Sequence, residues 1–490
     1  MITKFRNFLW VGFLFWIPIF TSSAQTNDFV AQYEAFRKQV KGEYEDFRAQ
    51  CNAEYAKFLE QAWKEYKVLP SIPRPKDEVV PPTVMPRLNN KEIQPKEVPI
   101  ENVISPILPL PQPKPVSPIY ENDEVEERIF SFSYMGTACE VRVPKGLNVQ
   151  MSSCENRVIA TAWKRLSTDA MNNTIRDFLT LRLNMQLCDW AYLNLIDTFA
   201  KSYCGQGNEA VLMAAFIYCQ SGYKMRLGRQ GNSLYLLYGS KHGIYEKGYV
   251  VIDGINYYPL DDKVEKMDIC EFSFPQERSM SLYIQDAQKF SVQPSAVRKL
   301  TSEQYHNMNV SSQVNLNLIQ FYETYPSSEV NGNFMTRWEM YADTPMEEDV
   351  RQRLYPCIKN KIGGLSEAQA VGQILNWVQT AFQYEYDDKV WGHDRAFFAE
   401  ETLYYPYCDC EDRAILFTRL VRDLLGLKCI LVYYPGHLAS AVCFKQQVNG
   451  DYILLDGDIY TICDPTYIGA PIGVTMPEMD NQSAKVIKRL

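Results

Sequence analysis

Tyr404-Tyr-Pro-Tyr-Cys408-Asp-Cys410-Glu-Asp-Arg-Ala414-Ile-Leu-Phe-Thr-Arg-Leu-Val-Arg-Asp-Leu-Leu-Gly426 is the stretch on which the reading of this chain turns. From residue 411 onward, apolar side chains recur every three or four positions, at Ala414, Phe417, Leu420, Val421, Leu424 and Leu425. That period predicts a helix docked on a core, closed by Gly426. Cys410 then falls in its first turn, with Asp409 or Cys408 near the cap. Free N–H groups and the helix dipole there favour a thiolate, so a reactive cysteine is expected.

Downstream, Pro435-Gly436 reads as a turn, and His437 opens a strand over Leu438 to Phe444. Asp464 follows a strand over Tyr460 to Cys463 and precedes Pro465. Adjacent antiparallel strands can set Asp464 beside His437 while the helix packs across them. The roles expected are Cys410 as nucleophile, His437 as base and Asp464 as the acid orienting the ring. Taken singly, each residue has a plainer reading: a buried structural cysteine, a satisfied core histidine, a strand-end cap.

Cys410-Glu-Asp-x-Ala, Gly436-His437 entering a strand, and Asp464-Pro465-Thr466 stand in the order of the three blocks of the transglutaminase-like superfamily. The chain resembles that family over about residues 365 to 470. The resemblance implies an α+β fold with a papain-like core and no cofactor or metal. It also implies an enzyme attacking amide bonds of proteins or peptides through a thioester. The family holds hydrolases, cross-linking acyltransferases and inactive relatives, so acyl transfer and a non-catalytic envelope scaffold stand as alternatives. The aromatic and acidic stretch Asp387 to Tyr407 departs from the pattern as an insertion. Trp377, Gln383 and Trp391 are the candidates for the oxyanion-stabilising side chain.

An earlier segment looks like a second copy. Gln206-Gly-Asn-Glu-Ala210, Ser221-Gly222, Lys247-Gly-Tyr-Val-Val-Ile-Asp253-Gly and Tyr257-Tyr-Pro-Leu-Asp261 match the spacing of the later motifs. In that register Gln206 replaces Cys410, Ser233 lies near the His437 position, and only the acid survives, as Asp261. The fold expected is two tandem papain-like units, the first degenerate.

Residues 1–24 read as a signal peptide: Lys4 and Arg6, an apolar run from Phe8 to Phe20, then Ser22-Ser-Ala24 before cleavage. Residues 25–68 carry an 11-residue repeat, with Tyr33, Tyr44, Tyr55 and Tyr66 in one register. They predict one long amphipathic helix for coiled-coil self-association or docking. Residues 69–119 hold 14 of the 27 prolines and predict an extended spacer between that helix and the catalytic part. The degenerate unit is placed at 120–345, with 270 to 345 strand-rich around Ser281-Leu-Tyr-Ile and Leu318-Ile-Gln-Phe-Tyr. The catalytic unit is placed at 346–490, with Ser366 capping a helix to Phe382.

A net charge of −9 argues against nucleic-acid binding. A protein or peptide substrate and an exported, periplasmic or secreted location are expected. The thirteen cysteines are scattered through apolar segments, which points to buried hydrophobes with one or two bridges at most.

Overall fold

Two six-stranded sheets, each with helices on one face, make up this mixed α+β protein. The computed structural model describes residues 23–76, 80–85, 95–105, 111–261 and 264–488, with side chains from residue 33 onward. The signal-peptide expectation therefore lies almost wholly outside the described residues. Among those described, no helix is long and apolar enough to cross a membrane.

The second sheet shows why its sequence folds as it does. In Lys428–Tyr434 the chain reads Lys-Cys-Ile-Leu-Val-Tyr-Tyr, and all but Lys428 are buried. Alternate residues point to opposite faces. Cys429, Leu431 and Tyr433 enter the main core with the helices, while Ile430, Val432 and Tyr434 enter a second cluster behind the sheet. The order across the sheet is Tyr452–Leu455, Asp458–Cys463, His437–Cys443, Lys428–Tyr434, Ala484–Ile487, Ile100–Ile104. Every neighbouring pair is antiparallel except the last. The first sheet runs Val250–Ile252, Ile255–Pro259, Ser233–Ser240, Met225–Gln230, Lys266–Cys270, Lys64–Lys67, antiparallel throughout.

The N-terminal helix, Ser23–Leu59, stops short of the expected residue 68. Trp63 turns back and donates its indole N–H to the Leu59 carbonyl at 3.1 Å, occupying an end that the repeat alone would have extended. Lys64–Lys67 then becomes an edge strand on Lys266–Cys270, so tertiary pairing overrides the helical period. Only the later half of the helix is docked. Tyr55 sits among Trp163, Phe272 and Phe274, and Asn52 and Gln220 exchange amide hydrogen bonds. Tyr33 and Phe36 stay largely exposed.

The proline-rich segment is not the expected spacer. Its prolines cannot donate, but the residues between them can. Leu69 donates to Tyr249 O, Val80 to Gly436 O, Met85 to Ile468 O and Val98 to Tyr452 O, at 2.7 to 2.9 Å. Val80, Met85 and Val98 also cover the cluster behind the second sheet. The described residues of the segment thus act as a strap between the first sheet and the second, passing Gly436 beside His437 instead of leading away from it.

Residues 270 to 345 are also less strand-rich than expected. Ser281 to Ile284 form no strand. Leu318-Ile-Gln-Phe-Tyr lies in the helix Leu316–Thr324, capped by Asn315, whose side chain accepts from Asn317 N. Leu318, Ile319, Phe321 and Tyr322 make one buried helical face, an apolar run too short for its period to tell helix from strand.

Local chemistry sets two further elements. Ile129 to Val143 is a hairpin turning at Met135-Gly136, both at positive φ. Ser366 caps Glu367–Thr380 in a capping box with Gln369. All thirteen cysteines are unpaired, ten of them buried, so no bridge forms.

Candidate active site

The helix Cys410–Leu425 starts at Asp409 and ends at Gly426, whose φ of 64° is left-handed. Asp412 secures its first turn, accepting from Asp409 N at 3.1 Å and from Phe397 N at 2.8 Å. That second bond ties the 387–407 stretch to the Cys410 turn. The helix crosses the sheet closely because small residues face each other: Ser440 Oγ meets Thr418 Oγ1 at 3.1 Å and the Ala414 carbonyl at 3.5 Å.

His437 and Asp464 meet as the strand order requires. The hairpin pairs Tyr434 with His437 across Pro435-Gly436, and Ser440 pairs with Cys463 one residue before Asp464. His437 Nε2 lies 2.8 Å from Asp464 Oδ2. Asp464 Oδ1 accepts from Thr466 N at 2.9 Å and Tyr467 N at 3.1 Å, so the carboxylate is held at both oxygens. His437 Nδ1 is buried and has no partner.

Cys410 and His437 line one cavity of about 610 Å³, and Asp464 stands behind His437. The cysteine is nevertheless not in the state the helix terminus suggested. Its Sγ donates to Glu411 Oε2 at 3.2 Å. Burial, then the Glu411 and Asp409 charges, push the thiol well above its ordinary range; the Leu438 N–H pulls the other way. Burial foremost, with the two adjacent acids added to it, outweighs the helix dipole and favours the thiol form.

None of the three expected oxyanion candidates reaches the cavity. Trp377 is fully buried and donates to Leu300 O at 3.0 Å. Gln383 is exposed on a two-residue strand beside Tyr407–Cys408. Trp391 packs edge-on against Phe397 and Tyr405, with the Arg395 guanidinium 4.2 Å from its ring. Trp338 lines the cavity instead, and its buried Nε1 has no partner. The Tyr384 hydroxyl is likewise buried and unpaired. Burial, then the charges of Cys410, Asp409 and Glu411, raise its pKa, so it remains a donor close to the nucleophile.

Two positioning residues escaped the sequence reading. Gln379, at the end of Glu367–Thr380, donates to the carbonyls of Asp464, Tyr467 and Ala470 and accepts from Gly469 N. It holds the loop that carries the acid. Arg413 donates to Gln379 O at 3.1 Å and Phe382 O at 2.8 Å, locking the Cys410 helix to that same helix end. The available signal was a buried amide and a buried guanidinium at positions where the helical period calls for apolar side chains.

Three acidic groupings have oxygens, or the Cys410 sulfur, close enough to hold a cation: Asp409 with Cys410 and Glu411, Asp387 with Asp409 and Asp412, and Asp387 with Asp394 and Glu411. The positions that the sequence spacing set against Cys410, His437 and Asp464 form no site. Gln206 and Ser233 are exposed, and Asp261 is exposed and pairs with Lys201 at 3.5 Å. No protein-family model, curated protein or solved structure matches the chain.

Proposed function

We propose that the chain is an exported thiol hydrolase of transglutaminase-like type, cleaving amide bonds of proteins or peptides through a thioester on Cys410. One observation carries the reading. His437 is fixed by Asp464 through Nε2, its buried Nδ1 has no partner, and it lines the cavity that Cys410 also lines. A ring held this way has one nitrogen free to take the thiol proton.

When substrate displaces the Cys410–Glu411 contact, Sγ gives its proton to His437 Nδ1 and attacks the carbonyl carbon. The Cys410 N–H, with Tyr384 Oη or Trp338 Nε1, supplies donors for the oxyanion. His437 returns the proton to the leaving amine, and the amide C–N bond breaks to leave the thioester. Water, deprotonated by His437, then releases the acid and restores the thiol. An open cavity of this size admits that water, which favours hydrolysis over cross-linking.

The same proposal extends to architecture: two tandem papain-like units, the first without a nucleophile. Its support is the strand order. The first sheet read from Val250–Ile252 and the second read from Tyr452–Leu455 follow the same connections after helices Asn208–Gln220 and Cys410–Leu425. Their hairpins even share a turn, Asp253-Gly254 and Asp456-Gly457, with all four residues at positive φ.

The test is acylation by p-nitrophenyl acetate, read by intact and peptide mass spectrometry. The expected result is one acetyl group on Cys410, absent in Cys410→Ala and strongly slowed in His437→Ala. Acetylation scattered over other cysteines and lysines, indifferent to His437, would remove the reading and leave a scaffold.

A further inference from the structure

The cavity around Cys410 carries more negative charge than the triad uses. Asp387, Asp388, Asp394, Asp409 and Glu411 all line it. Of the nearby cations, Arg337 pairs with one of these acids, Asp394, at 2.7 Å, and Lys389 is taken by Glu385, outside the group, at 2.8 Å. Carboxylates gathered out of water stay ionised only where a cation joins them.

Independent of that charge, three buried polar atoms on cavity-lining residues lack partners: Asp409 Oδ1, Trp338 Nε1 and His437 Nδ1. All three residues are at least nine-tenths buried. An acceptor, a donor and a base left open together call for a ligand carrying both cationic N–H groups and a carbonyl. A lone ion supplies only the first. The walls of Trp338, Tyr386 and Tyr433 suit the alkyl stem of a long basic side chain, whose charged end reaches the acids.

The chain already lays such a segment there. Arg74-Pro75-Lys76 belongs to the strap; Pro75 and Lys76 line the cavity, and Arg74 donates to Asp394 O at 2.7 Å while pairing with Glu246. Resting on the reading of Cys410 as nucleophile, we propose that the acidic wall is a subsite for a lysine or arginine side chain of the substrate polypeptide. Arg74-Pro75-Lys76 is its internal counterpart. A cation seated beside Glu411 and Asp409 also offsets the charge that keeps Cys410 protonated, so the substrate readies its own nucleophile.

The experiment uses the full chain and matched peptidyl acyloxymethyl ketones carrying lysine, arginine or norleucine at the residue bearing the ketone. Labelling of Cys410 is followed by mass spectrometry. The expected result is labelling by the lysine and arginine probes on the order of tenfold faster than by norleucine. The preference should shrink in Asp388→Asn and grow in Lys76→Ala. Equal rates for all three probes overturn the subsite while leaving Cys410 a nucleophile. No labelling of Cys410 by any probe takes down the catalytic reading as well. Rates that rise with added calcium for all probes alike, with no basic preference, assign the acids to a metal ion and overturn the proposal.

Discussion

Replacing Glu411 by glutamine should make Cys410 more acidic. The Sγ–Oε2 contact of 3.2 Å puts the carboxylate where it opposes the thiolate directly. At an effective dielectric of about 20, two like charges at that distance repel by about 5 kcal/mol. Side chains free to swing apart to roughly 5 Å reduce this to about 3 kcal/mol. The thiol midpoint should therefore fall, and about 3 kcal/mol corresponds to roughly a hundredfold more thiolate at neutral pH. Asp409 remains in the variant, so the drop is partial. A more acidic thiol is intrinsically a weaker nucleophile, and with a Brønsted slope near 0.5 the net gain in alkylation at neutral pH is roughly tenfold. The assay is iodoacetamide labelling of the folded protein between about pH 6 and 10, resolved by residue. Exposed Cys357 serves as the internal standard. An unmoved midpoint would mean that burial and Asp409 set the thiol's ionisation without Glu411, and would refute the hold of Glu411 over Cys410.

Three further outcomes are expected. Asp464→Asn keeps the volume but turns an amide N–H toward His437 Nε2, forcing the ring proton onto Nδ1 and disabling the base. Acetylation of Cys410 should fall about 10³- to 10⁴-fold while the melting temperature hardly moves. Gly222→Ala would drive a Cβ into the Lys114 carbonyl at a φ of +94°, costing roughly 2 to 4 kcal/mol and showing as a lower melting temperature. Glu400 is fully buried, and burial lifts its carboxyl to about 7, against an opposing hydrogen bond from Glu347 N. A raised acid is stabilising while protonated, so stability is full below the unfolded value near 4.5 and drains away as pH climbs through about 7. Thermal denaturation of Glu400→Gln should be flatter than that of the parent over this window, the difference approaching roughly 3 kcal/mol.

What the sequence disclosed, and what it withheld, follows from the range of the forces involved. Gly426 and Ser366 act within a few residues, and each bounds a helix where its chemistry dictates. The helix, hairpin and strand that bear Cys410, His437 and Asp464 were legible for the same reason. The strap was not, because a proline-rich stretch reads as solvated until a sheet face exists for Val80, Met85 and Val98 to cover. The protonation of Cys410 was also out of reach. It depends on whether Glu411 points to solvent or into the cavity, and the helix period does not decide that at the first turn. Trp377 failed as an oxyanion donor for a comparable reason: only tertiary packing sent its indole to Leu300.

The strap also has a temporal meaning. Ala484–Ile487 lies between Lys428–Tyr434 and Ile100–Ile104, so the second sheet closes by joining segments about 380 residues apart along the chain. The first sheet likewise waits for residues 225 to 270 before Lys64–Lys67 has an edge to join. A polypeptide delivered N-terminus first therefore cannot complete either sheet early, and the second stays open until its last strand has emerged. Contacts of such long range form slowly. Lys428–Tyr434, which that last strand covers, is the hairpin partner of the strand opened by His437, so one wall of the acidic cleft gains its neighbour only late.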